Sequence, residues 1–205
     1  MKPAGAGLRY VALGDSYTIG TAVTQAERWP NQLVERLAPT GMPLRLVANL
    51  GVNGFTSQDV VDVQLPRLAE LDPEFASLLV GVNDVVQVVP ADRFEVNAAR
   101  ILDDLLGRLP AARIVVVATP DYTVTPEGAT YGDPDTQRAG IARNNALLAG
   151  LAAKRGIAFV DIFEESRRAA TDRTLVADDG LHPSGAQYEL WVDAIAPVVE
   201  ELLRH

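Results

Sequence analysis

The residue best suited to proton transfer in this sequence is His182, the only histidine inside the chain. An imidazole has an unperturbed pKa of about 6.5, so it can accept and release a proton near neutral pH. Asp179 lies three residues earlier, and Gly180 between them permits a turn that would bring the carboxylate to the ring. Pro183 favours an extended backbone at His182. The spacing predicts a carboxylate-histidine pair, although Asp-x-x-His alone is also typical of a surface loop. The other histidine, His205, is the last residue.

Three further blocks place a hydroxyl, a glycine and an amide after predicted strands. Ser16 follows Gly14 and Asp15, and at a strand end its hydroxyl and backbone N–H would both be exposed. Gly54 can present a backbone N–H with no side chain in the way, and the Asn83 amide can donate to the same oxygen. Alone, each block also fits an ordinary turn or helix cap. Together the blocks place an exposed hydroxyl near donors of the kind that a developing oxyanion needs.

In their order along the chain, these blocks resemble those of the SGNH hydrolases, also called GDSL esterases and lipases. The resemblance covers almost the whole chain and rests on Gly14-Asp15-Ser16, Gly54, Gly81-x-Asn83-Asp84 and Asp179-x-x-His182-Pro183. It implies that Ser16 is the nucleophile, that His182 is the general base and acid, and that Asp179 orients His182. The family spacing favours Asp179 over Asp178. The Ser16 N–H, the Gly54 N–H and the Asn83 side chain would form the oxyanion hole.

The resemblance also implies an activity, namely hydrolysis of carboxylic esters through an acyl-enzyme, with no cofactor and no metal. Two stretches are candidate pocket walls: the valine-rich run 85–89, which begins with Val85 and Val86 and contains Gln87, and residues 122–131, which begin with Tyr122. The valine run fits an acyl chain or, equally well, a buried connector. We expect esters with small or medium acyl chains. Lysophospholipids, thioesters and acetylated sugars stay open as substrates, because the family uses one catalytic set for many acyl groups.

Two other functions fit parts of the same pattern. A metal-dependent phosphoesterase could use Asp15, Asp84, Asp179 and His182, since hard cations bind carboxylate oxygens. A noncatalytic binding module could keep the fold without the chemistry. The intact set of blocks argues against the second alternative, and sensitivity to a chelator would identify the first.

The elements that must position these residues alternate between strands and helices. Apolar runs predict five strands at 9–13, 44–48, 75–80, 113–118 and 157–160. Helical patterns lie between and after them, at about 29–37, 57–71, 93–109, 136–154 and 184–203. This order predicts an α/β fold: a three-layer α/β/α sandwich with a five-stranded parallel sheet, flavodoxin-like, as in SGNH hydrolases. We expect one domain over residues 1–205, with the ligand at the carboxyl ends of the strands.

Composition narrows the classes of partner. The 205 residues carry a net charge of −9 and no basic stripe, which argues against nucleic acid, and the absence of cysteine excludes thiolate catalysis and disulfides. No apolar run approaches the roughly 18 residues of a membrane span, and the first residues do not resemble a signal peptide. We expect a cytoplasmic protein that acts on a small-molecule ester. A secreted protein whose signal peptide has been removed would have the same sequence features. The oligomeric state is not indicated.

Overall fold

The computed structural model describes residues 7–204, and its centre is one sheet of five parallel strands. The strands are β1 (Leu8–Gly14), β2 (Leu44–Asn49), β3 (Phe75–Leu79), β4 (Ile114–Val117) and β5 (Ala158–Val160). Their order across the sheet is β2-β1-β3-β4-β5, which is the flavodoxin-like arrangement. The predicted fold class and all five strands are confirmed. Residues 1–6 and His205 lie outside the described residues.

Helices cover both faces of the sheet and complete the three layers. In chain order they are α1 (Ser16–Ile19), α2 (Trp29–Leu37), α3 (Ser57–Asp59), α4 (Leu68–Leu71), α5 (Val82–Val86), α6 (Ala91–Leu106), α7 (Pro134–Ala153), α8 (Phe163–Ser166) and α9 (Gly185–Arg204). Helices α2 and α9 pack together on one face, and α6 and α7 pack together on the other. Among the described helices, none combines the length and apolar character that a membrane span needs.

The inner strands β1, β3 and β4 are recognisable in the sequence because both of their faces are buried. In β1, Tyr10 and Ala12 belong to the core that faces α2 and α9, whereas Val11 and Leu13 belong to the core on the opposite face. All four side chains are fully buried. A strand with two buried faces reads as a continuous apolar run, because successive side chains point to opposite sides.

The segment 57–71 is helical as predicted, but its hydrogen-bonding pattern changes along its length. Between α3 and α4 lie a π-helical turn, Val60–Gln64, and a 3₁₀ turn, Leu65–Arg67. Pro66 has no backbone N–H and cannot continue an α-helical ladder. The π-helical turn contains Gln64, whose Oε1 accepts from the Gly14 N–H at 2.9 Å and whose Nε2 donates to the Gly14 carbonyl at 2.7 Å. The irregular segment therefore fixes the backbone just before Ser16.

Candidate active site

His182 and Asp179 form a direct pair in the loop before α9. The two side chains approach to 2.6 Å between His182 Nδ1 and Asp179 Oδ2. The other carboxylate oxygen accepts the backbone N–H groups of Leu181 at 3.0 Å and His182 at 2.9 Å. Partial burial of Asp179 opposes ionisation, but the bonds from the His182 ring and from the two N–H groups outweigh it and lower the pKa of Asp179. The carboxylate is thus ionised at neutral pH and held against the imidazole.

Ser16 begins α1 directly after β1, at the carboxyl edge of the sheet. Asp15 caps this helix, because its Oδ1 accepts the Tyr17 N–H at 3.0 Å. Gly14 makes the sharp exit from β1 with φ of 151°, and a Cβ there would lie 2.2 Å from the Leu79 carbonyl oxygen. Within residues 7–204, the Ser16 N–H has no hydrogen-bond acceptor. The hydroxyl-bearing residue therefore enters the site with a free backbone donor beside it.

Gly54 occupies a tight turn in the loop that follows β2. The Phe55 N–H donates to the Val52 carbonyl at 3.2 Å, so residues 52–55 form a β-turn with Gly54 at its third position. Gly54 has φ of 80°, whereas the residue before it does not have a positive φ, which makes this a type II turn. The N–H of that third position makes no bond within the turn, and no protein acceptor is found for it in the described part of the chain. Gly54 thus presents a second free backbone donor.

Asn83 lies in the first turn of α5, after β3. One N–H of its side-chain amide donates to the Phe55 carbonyl at 3.0 Å. An asparagine amide has two N–H donors, so the second one is available to a ligand. The structure thus brings Ser16, Gly54 and Asn83 together from the ends of β1, β2 and β3, which lie side by side in the sheet.

These residues line one cavity of about 280 Å³ together with His182. Its other walls are mostly apolar or aromatic and consist of Tyr17, Val82, Val86, Tyr122, Tyr131 and Leu181, with Asn53 at the side of Gly54. Ser16 and His182 share this cavity, although among the described residues no hydrogen bond joins their side chains. Such bonds often close only when substrate is bound. No Lys or Arg lines the cavity in the described part of the chain.

The two valines predicted as pocket walls have different positions. Val86 lines the cavity, but Val85 does not; Val85 packs towards Gly140 of α7, where an added Cβ would lie 2.8 Å from its Cγ1. The reason is that residues 82–86 form a helix rather than an irregular loop. Val82 and Val86 are four residues apart and share the face towards the cavity, whereas Val85 is rotated away. Tyr122, the third predicted wall residue, lines the cavity and donates its hydroxyl to Gln137 Oε1 at 2.8 Å.

Tyr17 closes the side of the site behind the imidazole. Its ring centroid lies 5.4 Å from that of His182 and 6.4 Å from that of Trp191. Tyr17 is only 3% exposed and belongs to the core between the sheet and α9. The ring of His182 is therefore held on one side by Asp179 and on another by a buried aromatic residue.

Two buried carboxyl groups lie beneath the site and have raised pKa values. Burial, opposed by the Tyr17 N–H and reinforced by the charge of Asp84, raises the pKa of Asp15 to about 7. Burial also raises the pKa of Asp84, although Ser57 donates to it through its hydroxyl at 2.5 Å and its N–H at 2.9 Å. Within residues 7–204, no three His, Asp or Glu residues are placed to hold a metal ion together. The geometry thus gives no support to the metal-site hypothesis built on Asp15, Asp84, Asp179 and His182.

Several residues of the site were not identified from the sequence. Asn53, Val82 and Leu181 line the cavity, and Gln64 holds Gly14, whereas Tyr131 lies in the predicted wall 122–131 and does line the cavity. Leu181 and Val82 adjoin predicted catalytic blocks, so proximity to the motifs was an available signal for them. The role of Gln64 could not be predicted from the sequence, because its contact with Gly14 joins residues 50 positions apart.

Structures with the same fold include several hydrolases. A variant of Axe2, an acetyl xylan esterase from Geobacillus stearothermophilus, is 19% identical with a TM-score of 0.75, over 95% of each chain. LAE5, an α/β hydrolase enzyme from the metagenome of Lake Arreo, Spain, is 20% identical with a TM-score of 0.75, over 96% of this chain and 97% of its own. At these identities the likeness concerns the fold.

The sequence comparisons address the family. No curated protein matches the chain significantly. The sequence profile of the GDSL-like Lipase/Acylhydrolase family matches residues 12–190, a range that contains Ser16, Gly54, Asn83, Asp179 and His182. The chain therefore belongs to the GDSL-like lipase/acylhydrolase family and is a carboxylic ester hydrolase.

Proposed function

We propose that the protein is a serine esterase in which Ser16, His182 and Asp179 form the catalytic triad. The observation that carries this proposal is the convergence of four groups on one cavity: the Ser16 side chain, His182 paired with Asp179, the Gly54 turn and Asn83. The free N–H groups of Ser16 and Gly54 supply donors where an oxyanion would form. A nucleophile, a base with an orienting acid and an oxyanion hole are the parts that acyl transfer requires.

The proposed reaction has two halves with the same proton carrier. Ser16 Oγ attacks the ester carbonyl while His182 Nε2 accepts the hydroxyl proton, and the carbonyl π electrons move to its oxygen. The tetrahedral oxyanion accepts hydrogen bonds from the Ser16 and Gly54 N–H groups and the free Asn83 N–H. When the C–O bond to the alcohol breaks, His182 gives the proton to the leaving oxygen. Water then attacks the acyl-enzyme by the same route, releasing the acid and restoring Ser16.

The cavity supports uncharged esters with small or medium acyl chains. Its volume of about 280 Å³ and the apolar side chains of Val82, Val86 and Leu181 suit a short hydrocarbon chain. The Tyr131 side chain, 43% exposed, packs edge-to-face on Tyr122 with 5.7 Å between the ring centroids. A half-exposed aromatic ring in the cavity wall also provides a surface for a sugar. Because Axe2 is an acetyl xylan esterase, acetylated oligosaccharides are a second substrate to test.

The test uses a 4-nitrophenyl ester series from acetate to octanoate, together with an acetylated xylooligosaccharide. We expect the wild type to hydrolyse the shorter esters, and Ser16→Ala to lower kcat by several orders of magnitude. Ser77→Ala is the matched control. Ser77 is buried in β3, away from the cavity, and its hydroxyl is hydrogen-bonded to the Tyr10 hydroxyl at 2.7 Å. This variant should retain full activity.

Two results would reject the proposal. Equal rates for Ser16→Ala and the wild type would remove Ser16 as the nucleophile. Loss of wild-type activity in EDTA, combined with resistance to a fluorophosphonate that labels serine nucleophiles, would favour a metal-dependent hydrolase instead. Mass spectrometry of the labelled protein identifies the modified residue.

A further inference from the structure

Two side chains, one in the short helix α5 and one directly after it, hold the loop that carries Gly54. Gln87 Nε2 donates to the Gly54 carbonyl at 2.8 Å, and Asn83 Nδ2 donates to the Phe55 carbonyl at 3.0 Å. Asn83 is in the first turn of α5 and Gln87 directly follows its last residue. Residues four apart lie on the same side of a helix, so both donors reach the same loop. Two successive carbonyl groups are thus held from outside the loop, by α5 and by the residue that follows it.

We propose that Gln87 is a positioning residue that fixes the Gly54 N–H in the oxyanion hole. The inference rests on the proposed function, since it assumes that this N–H binds the oxyanion. It adds a residue that belongs to none of the four sequence blocks. Gln87 does not line the cavity and acts through the backbone of Gly54.

The loop needs such a restraint because its central residue is a glycine in an open position. Gly54 is exposed, and an added Cβ would meet nothing within 4 Å, so on that side no neighbouring side chain restricts its backbone. Glycine has access to positive and negative φ at similar energy. Rotation of its peptide planes would turn the N–H away from the oxyanion, and small displacements of a catalytic donor can cost up to about a hundredfold in rate.

The bonds around Gly54 restrain it from both sides. On the preceding residue, Asn53 Oδ1 accepts from the Thr21 hydroxyl at 2.5 Å. On the following side, Gln87 holds the Gly54 carbonyl and Asn83 holds the next carbonyl. Thr21 belongs to the segment after the nucleophile helix, and Gln87 to the segment after the Asn83 helix. The donor of Gly54 is therefore tied to the elements that supply the other two donors of the hole.

The experiment removes the Gln87 donor in two ways. Gln87→Met keeps the length of the side chain without an N–H, and Gln87→Glu keeps the shape but places an acceptor against the Gly54 carbonyl. Gln58→Met is the matched control, because Gln58 donates Nε2 to Asp62 at 2.9 Å on the neighbouring helical segment and makes no contact with the loop carbonyls. The readouts are kcat and KM for 4-nitrophenyl acetate, the thermal midpoint, and the Ki of a trifluoromethyl ketone, whose serine adduct carries an oxyanion.

We expect both Gln87 variants to lower kcat by about tenfold with KM within twofold, and to raise the Ki of the ketone by a similar factor. Gln58→Met should match the wild type, and all three variants should unfold at a similar temperature. A kcat within twofold of the wild type in both Gln87 variants would overturn the inference, as would an effect on KM alone. The Ser16→Ala variant distinguishes failure of the proposed function from failure of this inference. An active Ser16→Ala rejects the proposed function. An inactive Ser16→Ala together with fully active Gln87 variants rejects only the role of Gln87.

Discussion

The Asp179 carboxylate is hydrogen-bonded to both Nδ1 of the His182 ring and the His182 backbone N–H. This arrangement selects one tautomer of the imidazole. An ionised carboxylate can only accept, so His182 carries its proton on Nδ1 and leaves Nε2 free to act as a base. In Asp179→Asn, the new amide can donate to Nδ1 and favours the opposite tautomer. We predict that kcat for 4-nitrophenyl acetate falls by about 10³–10⁴ with little change in KM.

The neighbouring aspartate provides the control for this prediction. Asp178 is exposed and adjoins Asp179 in the sequence, so Asp178→Asn makes the same chemical change one residue away. It should leave kcat unchanged. A similar loss in both variants would assign the effect to the loop as a whole rather than to the carboxylate that contacts the ring.

Asp15 makes the stability of the protein depend on pH in a direction opposite to that of most carboxylates. Its pKa is raised to about 7, mainly by burial, and its Oδ2 is buried with no hydrogen-bond partner among the described residues. Below about pH 4 the folded and unfolded chains both keep the proton, and stability is unaffected. As the pH rises towards 7, the unfolded chain ionises first, so the folded state loses stability.

Asp15→Asn removes this titration and keeps an oxygen for the Tyr17 N–H. We predict that the free energy of unfolding of the variant, relative to the wild type, increases between pH 4 and pH 8 by as much as about 4 kcal/mol. Urea unfolding at both pH values measures it, with Asp178→Asn as an exposed aspartate for comparison. A difference that is constant or decreases with pH would show that Asp15 is ionised in the folded protein.

Residues in local motifs could be predicted from the sequence, whereas residues defined by tertiary contacts could not. Ser16 and the Asp179–His182 pair follow from short spacings whose geometry a single turn determines. Gln87 and Gly54 are 33 positions apart, and nothing near either residue in the sequence indicates that they meet. Val85 and Val86 are chemically almost equivalent, so distinguishing them required the helical geometry of α5.

The same distinction applies to whole elements. The three inner strands β1, β3 and β4 were recognisable because burial on both faces makes their sequences mostly apolar, whereas the edge strands β2 and β5 are only partly buried. The π-helical turn Val60–Gln64 has no comparable pattern, because its shape goes with the contact between Gln64 and Gly14. Helix α7 contains two glycines, Gly140 and Gly150, that the sequence pattern does not distinguish but whose surroundings differ.

Helix α7 approaches α5 closely at Gly140, which allows α5 to form the cavity wall. A Cβ at Gly140 would lie 2.8 Å from Val85 Cγ1, whereas at Gly150 it would meet nothing within 4 Å. Alanine favours a helix over glycine by about 1 kcal/mol. We predict that Gly150→Ala stabilises the protein by about 0.5–1 kcal/mol, and that Gly140→Ala destabilises it because α5 and α7 must separate.

Chemical denaturation of the two variants compares the same substitution at two positions of one helix. Gly140→Ala should also change KM for the longer 4-nitrophenyl esters, since Val82 and Val86 move with α5. Stabilisation of equal size in both variants would indicate that the contact with Val85 relaxes without cost and does not set the distance between these helices.

The order of the strands in the sheet explains how blocks that are far apart in the sequence come together. The order β2-β1-β3 places the ends of three strands next to one another, and these ends carry Gly54, Ser16 and Asn83. The fourth strand follows on the side of β3 and leads to Tyr122. Parallel strands all end at one edge, so the proposed catalytic groups and the pocket wall gather there without any long connection.

The charge of the whole chain adds a constraint on the substrates that this edge can accept. The net charge is −9, and within residues 7–204 the lining of the cavity includes no Lys or Arg. A carboxylate in the acyl chain would be repelled on approach and would lose its hydration without gaining a cationic partner. We predict that kcat/KM at low salt is at least about tenfold lower for 4-nitrophenyl hemisuccinate than for 4-nitrophenyl butanoate, which has an acyl chain of similar length.

Part of this difference should respond to ionic strength, because the Debye length falls from about 30 Å at 0.01 M salt to about 10 Å at 0.1 M. Raising the salt should increase kcat/KM for the hemisuccinate by a few fold and leave the butanoate value unchanged, after subtraction of the uncatalysed rates. The part that persists at high salt measures the desolvation of the carboxylate inside the cavity. Equal or faster hydrolysis of the anionic ester would require a cation at the acyl site, which contradicts the lining seen here.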